Sequence, residues 1–312
     1  MKNYADADYL HARISAMRSR LLTGRDYAAL VREQAPVSAA GDTVEDRENL
    51  FREQIAPVLA IAEAHAPYAP LFLAFLRLYE VQNVKTLLLQ AAGATPPGQW
   101  YDIAPYAAVG KELLREKLTP EDLKSFFAGT YLASCFEGAP APRRMAIRLD
   151  LCAAANLYNA ACLLDGEARK EFQDTVLRRI AALSLMWSSR LKAYYLARDE
   201  QILSSLEKFQ ALFGRRVKSR VRLLEEALAR FADERQKSTG QKPSAIDIER
   251  YLERSFHAWI SSMFHRDFHS LYGVVAYLWL LFYQIQNLYR IQDGRRFGLS
   301  AEAVLDALFC EA

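Results

Sequence analysis

One six-residue phrase occurs twice in this chain, and that repetition constrains its fold more than any other feature. Tyr79-Glu80-Val81-Gln82-Asn83-Val84 returns 204 residues later as Tyr283-Gln284-Ile285-Gln286-Asn287-Leu288. Three positions are identical and three are conservative, and each copy ends an apolar run, Leu71 to Leu78 in one case and Leu271 to Phe282 in the other. Such a repeat sets the architecture before any local propensity does. Half of the 204-residue spacing is about 102, so the 312-residue chain has room for a degenerate third unit between the visible ones. The expectation is three tandem, similar domains over 1–105, 106–212 and 213–312.

Each unit reads as helical. Leu10, Ile14, Met17 and Leu21 fall at the spacing of an amphipathic helix, with Thr23-Gly24 predicted to stop it. Asp26 is predicted to cap a short helix running to Pro36. Thr119 before Pro120, Glu121 and Asp122 combines a capping hydroxyl, a first-turn proline and two acids at the positive end of the helix dipole. Ser244 with Asp247 makes a capping box, and Ser300 with Glu302 opens the last helix. Ten of the eleven prolines lie at or before Pro142, which leaves the second half open to long helices. Ala181 to Leu196 and Val221 to Phe231 follow the helical period, and no window alternates as a strand does. The fold class is therefore all-α.

The chain is 52% hydrophobic and 25% charged with a net charge of +3, the balance of an ordinary globular protein, and it argues against a nucleic-acid partner. Residues 268–289 lack Lys, Arg, Asp and Glu, yet the unbroken apolar part, Leu271 to Tyr283, is short of the roughly 18 residues a membrane span needs. It reads as a central helix wrapped by others. The opening Met1-Lys2-Asn3-Tyr4 has no apolar run after its lysine, so a secretory leader is not expected. The cysteines at 135, 152, 162 and 310 form no CxxC pair, which fits free thiols in the cytoplasm.

Catalytic signatures are sparse. No GxxxxGK[ST], GxGxxG or GxSxG occurs, so neither a phosphate cradle nor a nucleophile elbow is expected, and no cofactor or small-molecule substrate is assigned. His265 and His269 stand at i, i+4 and would share a helix face able to hold a metal, with His257 or Asp267 nearby in sequence. The competing reading is a pair of core or half-exposed histidines beside Phe264 and Phe268. Arg215, Arg216, Lys218, Arg220 and Arg222 form a basic stretch next to Glu225 and Glu226. It suits an acidic partner or lipid headgroups, or equally a solvated helix face with internal ion pairs. Asn83 and Asn287 are poor helix formers placed inside long helices, so an intramolecular hydrogen bond that fixes helix packing is expected at each, with contact to a partner as the alternative.

Tyr9-Leu-His-Ala-Arg13-Ile-Ser-Ala-Met17-Arg-Ser-Arg20-Leu-Leu resembles the opening helix of the C subunit of V/A-type ATP synthases, the prokaryotic counterpart of the eukaryotic V-ATPase d subunit. Glu80-Val-Gln-Asn83-Val-Lys85 is similar to that family's Glu-x-x-Asn-x-Lys core. Gln284-Ile-Gln-Asn287-Leu-Tyr-Arg290, Gly298-Leu299-Ser300 and Glu302 to Leu308 are similar to its closing phrase, basic Gly-Leu turn and last helix. The middle unit departs from the pattern: Leu183-Ser184-Leu185-Met186-Trp187 stands where the family tends to show an Asp and Asn pair, and Gln284 replaces a more usual acid.

The resemblance implies a pseudo-threefold funnel that sits on the cytoplasmic side of the membrane proteolipid ring and receives the D and F subunits of the central stalk. It implies a non-catalytic rotor part of the V-type ATPase that couples ATP synthesis or hydrolysis to proton or sodium transport. By analogy Arg13, Arg20, Arg295 and Arg296 are interface candidates, and Glu80, Asn83, Gln284 and Asn287 are structural signatures. The readings set against it are a helical metalloenzyme using His265 and His269, and an unrelated helical scaffold.

Overall fold

The computed structural model describes residues 4–33, 43–94, 99–115, 118–137, 142–195, 199–264 and 271–310. Among them are eleven α-helices and no strand. In chain order they are α1 Tyr4–Arg18, α2 Gly24–Arg32, α3 Val44–Ala64, α4 Ala69–Ala91, α5 Pro120–Phe126, α6 Pro142–Cys162, α7 Gly166–Tyr195, α8 Asp199–Thr239, α9 Ala245–Phe264, α10 Tyr272–Arg296 and α11 Ala301–Ala307. Short 3-10 helices fall at Lys111–Arg115 and Ala133–Phe136.

The helix starts follow local chemistry. Thr119 accepts from the Asp122 backbone N–H while the Asp122 carboxylate accepts from the Thr119 N–H, a reciprocal capping box that satisfies two donors the helix itself cannot pair. Thr43 with Asp46 and Ser244 with Asp247 repeat it, and the Ser300 hydroxyl accepts from Ala303 N–H. The second helix starts differently from the sequence expectation. Thr23 is the capping residue and Asp26 its third-position partner, so Gly24 opens α2 rather than closing α1. The competition is physical: a Thr-Gly pair serves a helix end or a helix start, and an Asp three residues on selects the start. Pro36, the expected end of α2, lies outside the described residues.

The chain divides into two compact units. The first comprises 1–160 with 260–312. Here α1 packs on α10 and α2 on α11, bringing the first helices against the last, while α3 packs on both α4 and α10. Helices α4 and α10 carry buried residues on every face, the pattern of helices wrapped by others. Between them run aromatic contacts: Phe75 meets Trp279, its equivalent one repeat spacing on, with ring centroids 5.4 Å apart, and Tyr79 meets Phe282 at 5.6 Å. A second apolar cluster joins the end of α4 to α5 and α6, with Phe127 stacked on Phe136.

The second unit, 161–259, contains α7, α8 and most of α9. Its buried ion pair joins Arg179 to Glu253 at 2.7 Å, and Arg190 forks onto Glu249 at 2.6 and 3.0 Å. Asp174 accepts from Arg178 and Arg220, which ties α7 to α8.

Candidate functional site

The doubled phrase occupies the centre of the first unit, and its asparagines make the same bonds in both copies. On α4, Asn83 Nδ2 donates to the Tyr101 carbonyl and Asn83 Oδ1 accepts from the Tyr101 N–H, both at 2.8 Å. On α10, Asn287 Nδ2 donates to the Phe309 carbonyl at 2.6 Å and Oδ1 accepts from the Phe309 N–H at 2.9 Å. A side-chain amide mimics a peptide unit, one donor beside one acceptor, so it can close a two-bond ring with a segment that has no strand or helix partner. The aromatic ring of each held residue then packs on the phrase's first residue: Tyr101 on Tyr79 at 5.8 Å and Phe309 on Tyr283 at 5.5 Å. Both helices also end alike, on a glycine at positive φ, Gly93 at 79° and Gly298 at 64°, with the next N–H reaching back across the last turn to Leu89 or Gly294.

The second position of the phrase holds backbone as well. Glu80 accepts from the Ala108 N–H through Oε1 and from the Tyr131 hydroxyl through Oε2 at 3.0 Å. Gln284 accepts from the Leu22 N–H at 2.7 Å and donates to Gln54 Oε1 at 2.5 Å. Burial raises the Glu80 carboxyl above its ordinary value of 4.5, opposed by those two hydrogen bonds and by Arg77. Burial likewise raises the Tyr131 hydroxyl, with the Glu80 charge adding to it.

Glu48 joins this network without having been marked by sequence reasoning. It accepts from the Trp100 N–H at 3.1 Å and from Lys111 Nζ at 2.5 Å. One signal was available: Glu48 stands one turn before Phe51, Ile55, Val58 and Ala62 on the buried stripe of α3, where an uncompensated acid would be costly. In the middle of the chain, the buried Ser184 hydroxyl donates to the Ile180 carbonyl of its own helix at 2.9 Å.

The candidate interface charges fall at the edge of the first unit. Arg13 is half-buried on α1 and Arg20 is exposed just beyond it. Arg295 donates to the Leu30 carbonyl at 2.7 Å, linking α10 to α2. Arg296 is exposed, its guanidinium 6.0 Å from the ring centre of Phe297. Phe297 and Leu299 are themselves 69% and 55% exposed, so this turn presents both positive charge and apolar surface. In the basic stretch of α8, Arg215, Arg216 and Lys218 are exposed, Arg220 pairs with Asp174 and Arg222 with Glu226, while Val217 and Val221 point inward.

His265 and His269, with Asp267, lie outside the described residues; His257 is buried on α9. Among the described residues no cluster of three or more His, Cys, Asp or Glu is arranged to hold a metal, and no helix is long and apolar enough to cross a membrane.

Asn83, Asn287, Glu80 and Gln284 thus each hold main chain, Glu80 and Gln284 with a side-chain partner as well, an arrangement suited to keeping segments in place. Among curated proteins none matches the sequence. A family model described as ATP synthase (C/AC39) subunit matches residues 34–306, nearly the whole length and both copies of the phrase, and the chain belongs to that family.

Proposed function

We propose that this protein is a non-catalytic rotor subunit of a V/A-type ATPase, the socket between the D and F stalk subunits and the membrane proteolipid ring. The observation that carries the reading is the family match over residues 34–306. The first unit supports it mechanically. A part that passes torque must resist shear, and here the ends of the chain are packed on each other and two central helices hold backbone segments through paired hydrogen bonds. In this reading the chain forms a funnel of three similar helical domains on the cytoplasmic face. It transmits rotation that couples ATP synthesis or hydrolysis to proton or sodium transport.

Arg13, Arg20, Arg295 and Arg296 are proposed as interface charges. The exposed Phe297 and Leu299 beside Arg296 favour that turn as a docking point, because apolar anchors within a charged rim are typical of protein contacts. A pull-down with the D subunit tests the assignment. Arg13→Glu with Arg20→Glu should weaken capture, and Arg296→Glu with Phe297→Ser should weaken it further. Capture of both double variants at the wild-type level would remove these residues from the interface.

A further inference from the structure

Two cysteines that play no part in the paired-amide network lie together in the first unit. Cys135 sits in the 3-10 helix Ala133–Phe136 and Cys152 on α6, and both pack into the apolar cluster with Phe136, Met145 and Leu149. The Cys152 side chain sits against the turn that carries Cys135. Cys152 Sγ is 3.5 Å from the Ser134 hydroxyl and 3.4 Å from the Tyr131 carbonyl. Ser134 is exposed and Cys152 half-buried, so solvent reaches this edge, whereas Cys135 is only 2% exposed. Arg148, one turn before Cys152 on α6, donates to the Cys135 and Glu137 carbonyls and adds positive charge.

We propose that Cys135 and Cys152 form a reversible two-thiol oxidation site that takes hydroperoxides, with Cys152 reacting first and Cys135 resolving. The asymmetry follows from the surroundings. Cys152 is half-buried at the solvent-reached edge, where the neighbouring Cys135 and Ser134 groups favour its thiolate, whereas the Cys152 sulfur and burial push the Cys135 thiol up. The Cys152 thiolate attacks the terminal peroxide oxygen and the O–O bond breaks. This leaves a sulfenic acid on Cys152 and an alkoxide that takes a proton from solvent to depart as the alcohol. Cys135 then loses its proton and attacks the sulfenic sulfur, whose oxygen leaves as water. In sum two thiols and one hydroperoxide give one disulfide, one alcohol and one water, the peroxide being reduced by two electrons. The bond would tie the 3-10 helix to α6 beside Tyr131, the residue that donates to Glu80. A thiol reductant reverses it.

The test treats the purified full chain with hydrogen peroxide, quenches with N-ethylmaleimide and maps the peptides by mass spectrometry. Cys135 and Cys152 should lose the maleimide label together, appear as one cross-linked peptide pair lighter by two hydrogens, and regain both labels after dithiothreitol. Cys162 and Cys310 should stay labelled under the same dose. In Cys135→Ser, with its helical circular dichroism checked against wild type, Cys152 should be trapped by dimedone as the sulfenic acid. Retention of both labels on the wild-type chain at doses that oxidise Cys162 or Cys310 would overturn the proposal. So would disulfides formed only between two copies of the chain.

Discussion

Replacing Asn287 by leucine keeps the volume of a side chain that is fully buried and removes both of its bonds to Phe309. Phe309 is 7% exposed, and its N–H and carbonyl would then face an apolar environment with no partner from residue 287. A buried backbone group left unpaired costs about 1–3 kcal/mol, so the two together predict a loss of about 2–6 kcal/mol. Asn83→Leu breaks the equivalent pair at Tyr101, which is half-buried, and water can reach part of the gap. Its predicted loss is smaller, about 1–3 kcal/mol. Urea unfolding followed by circular dichroism gives the global change, and hydrogen exchange at Phe309 and Tyr101 locates it. Asn287→Leu should release the Phe309 amide while leaving Tyr101 protected, and Asn83→Leu the reverse. Unchanged Phe309 protection with a stability loss under about 0.5 kcal/mol would show that the amide bonds do not hold the carboxyl-terminal segment.

Three other perturbations probe separate parts of the packing. Because Glu80 binds a proton more readily folded than unfolded, its contribution to stability is fully present below the ordinary value of 4.5 and is lost as pH rises through its raised folded value. Glu80→Gln, which installs the residue that the second copy of the phrase already carries at Gln284, should therefore match wild type in acid and exceed it at neutral pH in thermal melts; a variant equally pH-dependent there would refute the assignment. The capping carboxylates Asp46 and Asp122, held low by the hydroxyl and N–H of Thr43 and Thr119, act oppositely, their contribution being lost as pH falls through their folded values. Gly294 lies so close to α11 that an added Cβ would stand 2.4 Å from Val304 Cγ2. Gly294→Ala should destabilise by about 1–3 kcal/mol and Val304→Ala should rescue it, as read in a double-mutant cycle. Glu253→Gln leaves Arg179 charged and buried in the second unit and should cost about 3–5 kcal/mol by urea unfolding, with much of it recovered in Arg179→Met/Glu253→Leu.

What the sequence disclosed was local or periodic. The all-helical class followed from apolar runs with helical spacing, and the caps at Thr119, Ser244 and Ser300 were legible because each needs only residues three apart. Thr23-Gly24 misled because the pair fits either end of a helix, although the deciding partner, Asp26, stands only three residues on. The asparagines stood out as poor helix formers, yet their partners did not: Tyr101 lies 18 residues beyond Asn83 and Phe309 lies 22 beyond Asn287. In the second copy α11 stands between the two partners, and such separations leave no periodic trace. Packing of α1 and α2 on α10 and α11 is a long-range contact between apolar faces, each of which would suit several other faces equally well.

The most direct test of the central claim is to isolate the native chain, tagged at its own locus, from gently solubilised membranes and to identify what comes with it. The rotor reading predicts the stalk subunits D and F, the proteolipid and the A and B subunits in reproducible ratio, with no ATP hydrolysis by the chain purified alone. Recovery without any ATPase subunit, or hydrolysis of ATP by the isolated chain, would contradict it.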